Sequence, residues 1–175
     1  VISKTIRDAI LAQLSAPGSG INDRMLLLAA NYGQDAYAID WSDASPNFLF
    51  GRIDPDSIEE SSVLTYPLVT IDTGAAVGQD IIYDSTFSGS VMALIDIHHS
   101  WPNESVLSDF ASLVDMTEDA VISCLHDPNQ QNIWSSFGNL LLAKGGITSQ
   151  RGRITFGGEN WRQSLRISCR MELTV

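Results

Sequence analysis

The closing segment, Leu165 to Val175, constrains the fold more than any other stretch. Leu165, Ile167, Cys169, Met171, Leu173 and Val175 alternate without a fault with Arg166, Ser168, Arg170, Glu172 and Thr174. A period of two, with apolar groups on one side and polar groups on the other, is the pattern of a half-buried antiparallel strand. Such a strand needs pairing partners and a cover for its apolar side. A second long strand is expected over Phe87–His98, where Phe87, Gly89, Val91, Ala93, Ile95 and Ile97 share one face and Ser88, Ser90, Met92, Leu94, Asp96 and His98 the other. Its centre is apolar on both faces, which marks an interior strand.

Helices supply the cover. Ile6, Ala9, Ile10 and Leu14 recur at helical spacing within Ser3–Leu14, and Ala16-Pro17-Gly18-Ser19-Gly20 closes that helix. Residues 23–30, with Met25 to Leu28 consecutive, fit a short helix or a buried strand, and periodicity does not choose. Trp101-Pro102-Asn103 is expected to turn the chain, and Asn103-Glu104 to start a helix carrying Val106, Leu107, Phe110, Leu113, Val114, Ala120, Val121, Cys124 and Leu125. Asp115-Met116-Thr117-Glu118 resembles a fresh capping box, so a break near Thr117 is expected. Tyr66–Asp72 is read as a strand, 32–62 as an acidic, loop-rich excursion, 74–84 as a second flexible connection, and the stretch after His126 as polar connection. Leu140–Ala143, a Gly145-Gly146 turn, strand material over Ile147–Phe156 and a Gly157-Gly158 turn lead into the last strand. The expected fold is α+β in a single domain, 1–175: a mainly antiparallel sheet of about four strands, two main helices on one face, and long loops.

With 175 residues, 44% of them hydrophobic, the chain can bury a core without metal or disulfide staples and is too apolar for disorder. Cys124 and Cys169 fall on apolar faces and are expected to be buried as small hydrophobes. No apolar run approaches the ~18 residues of a membrane span. No basic segment precedes an apolar one at the start, so the expectation is a soluble protein that is not secreted.

The net charge is −11, and its distribution says more than its total. Residues 1–143 hold 4 basic and 19 acidic side chains, net −15, whereas residues 144–175 hold 6 basic and 2 acidic, net +4. A basic C-terminal hairpin on an acidic protein has two explanations. Its arginines neutralise acids of the same subunit, or a bipolar subunit meets copies of itself head to tail. The total argues against gripping nucleic acid, which is driven by clustered Lys and Arg, and no aromatic stacking platform lies beside the arginines.

Signals of catalysis are thin. No phosphate-binding glycine loop, nucleophile elbow or cysteine-nucleophile signature occurs. Asp96 and His98 share a strand face and could start a metal site with His99, His126 or Asp127, but a third ligand would come from an unplaced loop. No metal, cofactor or catalytic residue is therefore assigned, and a small metal-dependent enzyme built on Asp96 and His98 stays as the alternative from another class. Asp54, Asp56, Glu59 and Glu60 lack calcium-loop spacing. Arg162, Arg166 and Arg170 fall on one strand face at intervals of four residues, with Arg151 and Arg153 on the strand before.

The order of these elements, the Ser-Gly-Ser-Val-Met-Ala-Leu-Ile-Asp-Ile-His strand ahead of a Ser-Val-Leu-Ser-Asp-Phe helix, and the ending Trp161-Arg162-Gln163-Ser164-Leu165-Arg166-Ile167 resemble the tail terminator (tail completion) proteins of tailed bacteriophages and phage-like particles. The resemblance implies a non-enzymatic ring, commonly a hexamer, at the head-proximal end of the tail tube. It stops tube polymerisation and joins the head's connector or stopper protein. Implied partners are other copies of the chain, the tube protein, the connector or stopper, and the sheath protein where the tail contracts. DNA is cargo in the lumen, no membrane is involved, and the setting is the virion neck, or the host cytoplasm during assembly. Another neck or head-completion protein is the alternative of the same class. The acidic segment with Asp54, Asp56, Glu59 and Glu60, and the basic hairpin with Arg151, Arg153, Trp161, Arg162, Arg166 and Arg170, are the candidate interfaces, expected to contact different partners.

Overall fold

The computed structural model of the chain describes residues 2–82, 86–102 and 106–174; for 75–82, 86 and 87 the backbone alone is described. Five α-helices and a six-stranded sheet form in the order α1 (Ile2–Leu14), α2 (Ile21–Tyr32), β1 (Phe48–Phe50), α3 (Pro55–Glu60), β2 (Leu68–Ile82), β3 (Thr86–Pro102), α4 (Leu107–Leu125), α5 (Gln130–Trp134), β4 (Asn139–Arg151), β5 (Thr155–Gly157) and β6 (Asn160–Thr174). The sheet runs β1-β2-β3-β6-β4, with β5 also on β6. It is mixed: β1 lies parallel to β2 and every other pairing is antiparallel.

The expected sheet of about four antiparallel strands is thus corrected to six strands and a mixed sheet. The two short strands caused the error. Phe48–Phe50 is a three-residue run, too brief to show a period, and β5 is cut from β4 by Gly152, Arg153 and Ile154. Residues 74–82 continue β2 rather than forming a connection, and Asp84 lies outside the described residues. Gly74 and Gly78 sit where the pairing slips, at the register shifts between Thr73 and Ala76 and between Gly78 and Asp80. Trp101 and Pro102 do not turn the chain: they end β3, opposite Trp161 and Asn160. Asn103 and Glu104, the expected helix start, lie outside the described residues.

The second strand pair also differs from expectation. Gly145-Gly146 makes a bulge inside β4, between Leu142 and Ile147, and not a turn. Gly145 has φ +64°, and a Cβ at Gly146 would lie 2.7 Å from the Ala143 carbonyl oxygen, so both positions require glycine. The Gly157-Gly158 turn is present, joining β5 to β6.

One face of the sheet holds the core. Val91, Ala93, Ile95 and Ile97 of β3 and Leu165, Ile167, Cys169, Met171 and Leu173 of β6 are buried with Ile6, Ile10 and Leu14 of α1 and Met116, Ala120, Val121 and Cys124 of α4. The alternation of β6 therefore appears as buried and open faces. Both cysteines are free and buried, and burial raises each thiol to about 12, which leaves them unreactive. Gln13 donates to the Cys124 carbonyl at 2.8 Å, tying α1 to α4 through a buried bond. Residues 23–30 belong to α2, which packs on α4. α4 does not break at Thr117: that side chain is buried, and its hydroxyl donates to the Leu113 carbonyl at 2.9 Å instead of capping a new helix.

The polar stretch after His126 contains α5, whose Trp134 is fully buried and donates its indole N–H to the Ala9 carbonyl at 3.1 Å. Trp134→Ala is expected to lower unfolding stability by about 3–5 kcal/mol, through lost packing and a residual cavity. Trp134→Phe, which keeps a ring in place, is expected to cost less. Urea midpoints measure both, and equal costs would contradict the packing role.

Candidate functional site

The β3–β6 register builds the polar face of the sheet. Asp96 stands opposite Arg166 and His98 opposite Ser164. Arg166 donates from Nε to Asp96 Oδ1 at 2.6 Å and from Nη2 to Asp96 Oδ2 at 2.7 Å. This fork-to-fork pair is charge-assisted, and the hydrogen bonds to Asp96 raise the guanidinium pKa. His98 Nδ1 lies 2.7 Å from Ser164 Oγ, and burial lowers the imidazole pKa below its ordinary value. Arg52, Ile53 and Pro55 close a groove of about 350 Å³ over these groups.

The geometry bears on the metal alternative. Both Asp96 oxygens accept from Arg166, which any ion would have to displace, and His98 and His99 face opposite sides of the strand. Among the described residues no three His, Cys, Asp or Glu side chains converge as a metal-holding group.

Excursion 32–62 folds back onto this face. Asp54 caps α3 by accepting from the Asp56 N–H at 3.0 Å, and Ile58 is buried. Arg162 pairs with Glu59 and lies 3.5 Å from Asp56. Gly157 makes room for it: a Cβ there would stand 2.2 Å from the Arg162 Cζ. Acidic segment and basic hairpin were expected to contact different partners, yet at Arg162 they meet within one subunit. Glu60 is exposed, and Trp161 packs edge-on against Phe156 with ring centroids 5.2 Å apart.

The remaining basic side chains divide in two. Arg151 reaches α4 and pairs with Asp115 and Glu118, and Arg170 lies 4.0 Å from Glu172. Arg153 is exposed and has no side-chain hydrogen bond or ion pair among the described residues, and the same holds for Lys144. Four of the six C-terminal basic side chains thus have acidic neighbours inside the subunit, and Lys144 and Arg153 have none among the described residues.

A second locus was missed in the sequence. Behind the sheet's other face, a cavity of about 660 Å³ opens between the segment after α2, the start of β2, the end of β3 and the start of α4. Tyr37, Tyr66, His99 and Trp101 line it with Asp35 and Asp109. Below it, the Thr117 hydroxyl gives its proton to Leu113, so it accepts from Tyr37 OH at 2.7 Å and from His99 Nε2 at 3.2 Å. This assigns the Nε2–H tautomer to His99. The only sequence signal was the odd-numbered position of His99, on the apolar face of β3.

No protein-family model matches the chain, and no curated protein sequence matches it. The reading of function therefore rests on the residues and their arrangement.

His99 gives a test of this buried arrangement. Its side chain is fully enclosed, and burial lowers its pKa from 6.5 to about 3. Below pH 6.5 the unfolded chain takes up a proton that the folded chain refuses, so stability falls with falling pH by about 1.4 kcal/mol per unit from this group. His99→Gln is expected to make the slope of stability against pH shallower between pH 6 and 5. Parallel slopes for variant and wild type would show that folded His99 takes up the proton.

Proposed function

We propose that the chain is a structural subunit of a closed ring, the tail terminator at the head-proximal end of a phage-type tail tube. In this reading the ring stops tube polymerisation and offers its far surface to the head connector or stopper, and DNA passes through the lumen. The observation that carries it is a sheet left open at two unlike edges. β1 covers β2 only over Val69–Ile71, so the outer edge of β2 from Asp72 onward is unpaired among the described residues, and so is the outer edge of β4. Copies that meet through unlike edges associate head to tail, and such contacts either close into rings or run on as filaments.

The edges themselves oppose unlimited strand addition. β4 carries a bulge and the exposed Lys144, devices that hinder edge-to-edge pairing. A contact made through side chains at a fixed angle suits closure better than a continuous sheet. The succession of the β2–β3 hairpin, α4 and the terminal β4–β6 unit also supports the resemblance stated above. Among the described residues no helix is long and apolar enough to cross a membrane.

Deleting the chain from its particle is expected to give tails of unregulated length and heads without tails. An antibody against it is expected to label the neck of intact particles in electron micrographs. Tails of normal length joined to heads would contradict the proposal.

A further inference from the structure

The cavity between α2, β2, β3 and α4 has the chemistry of a receptor for a cation on an apolar stem. Its wall includes Tyr66, His99 and Trp101, and each of them holds a buried polar atom without a hydrogen bond among the described residues: Tyr66 OH, His99 Nδ1 and Trp101 Nε1. Asp35 and Asp109, which also line it, are exposed and form no side-chain hydrogen bond or ion pair among the described residues. No Lys or Arg is among its described lining residues. Aromatic faces, two free carboxylates and unused acceptors attract a guanidinium or ammonium group.

The β4–β5 edge of the sheet carries such a group. Between β4 and β5, Gly152, Arg153 and Ile154 leave the strand ladder. Arg153 has no hydrogen bond or ion pair of its side chain among the described residues and lies near exposed Ile154 and Phe156. We infer that Arg153 of one copy seats in this cavity of the next copy, so that the β4–β5 edge of one subunit meets the α2–α4 side of its neighbour. The inference rests on the ring reading above and adds the residues that make the contact.

Three features favour a second copy as the occupant. Charge is complementary: among the described residues the cavity's acids have no ion-pair partner, and neither has Arg153. Apolar surface is present on both sides, with Ile154 and Phe156 beside Arg153, and exposed Val106 and Leu107 beside Asp109. Level along the strands is the third. The Gly152 N–H donates to the Ser164 carbonyl and Thr155 pairs with Arg162, so Arg153 lies level with Gln163, which pairs with His99. Arg153 and His99 thus sit at the same height along the strands, two strand spacings or roughly 10 Å apart at about 4.8 Å each, with Arg153 at the β4–β5 edge and His99 under the helices. Within the contact, the carboxylates of Asp35 and Asp109 accept guanidinium N–H groups, and Trp101, which can only donate, takes a main-chain carbonyl of the incoming segment.

Native mass and sedimentation of the full chain test the contact in four forms: wild type, Arg153→Asp, Asp109→Arg, and both changes together. The wild type is expected as a ring, each single variant as a 19.1 kDa monomer, and the combined variant as a ring again. Both sites are exposed, and an unchanged urea midpoint shows that each variant is folded. Single variants that stay rings would assign the cavity to another cation and overturn this contact, while leaving the ring itself standing. Dissociated single variants without recovery in the combined one would overturn the pairing of Arg153 with Asp109. A wild-type monomer would overturn both the contact and the ring.

Discussion

The pairing of β3 with β6 is the constraint on which the rest of the structure depends. Every residue of β6 from Asn160 to Thr174 faces a partner on β3, without a shift. Because the side-chain period of a strand is two, this one register decides which groups enter the core and which face outward. It places Ile95 beside Ile167 under the helices, and on the other face it sets Asp96 against Arg166 and His98 against Ser164. A slip by one residue would exchange the two sets, burying arginines and exposing the core. The core face and the ion pair therefore enforce the same register.

Ion pairs on both sides of the sheet answer much of the basic end of this acidic chain. Arg166 takes Asp96 from its neighbouring strand, Arg162 takes Glu59 from α3, and Arg151 takes Glu118 from α4. These pairs are partly exposed and individually contribute little to stability, but they fix where α3 and the end of β4 rest. What remains unneutralised is informative because so much else is paired. Arg153 and Lys144 on the β4–β5 side, and Asp35 and Asp109 beside the cavity, have no ion pair among the described residues.

Sequence pattern reached the long elements and failed at short or compound ones. The alternation of β6 and the central apolar stretch of β3 were legible because each residue's face follows from its number. Residues 23–30 stayed ambiguous because four consecutive apolar side chains carry no period. In α2 they resolve into buried Met25 with exposed Leu26 and Leu27. Thr117 looked like a cap because a capping box and a buried threonine bonding back to Leu113 have the same local sequence; only the packing of Tyr37 and His99 against it separates them. The glycines at 74, 78, 145 and 146 suggested connections, whereas the sheet uses them at or beside irregularities in strands that continue. Of the candidate interface residues, the C-terminal arginines were visible as a set, but their partners on α3, β3 and α4 were not. The aromatic cavity was invisible, since its wall comes from four separated segments.

Taken together, the subunit is an open sheet held by one long register, with most of its C-terminal arginines paired internally and exposed charges at the β4–β5 edge and beside the α2–α4 cavity. Single-particle electron microscopy of the purified wild-type protein at low salt tests this most directly. The expected result is a flat, closed ring of one cyclic symmetry, with the β4–β5 edge of each copy against the α2–α4 side of its neighbour. Monomers, or open helical filaments at every concentration examined, would contradict it.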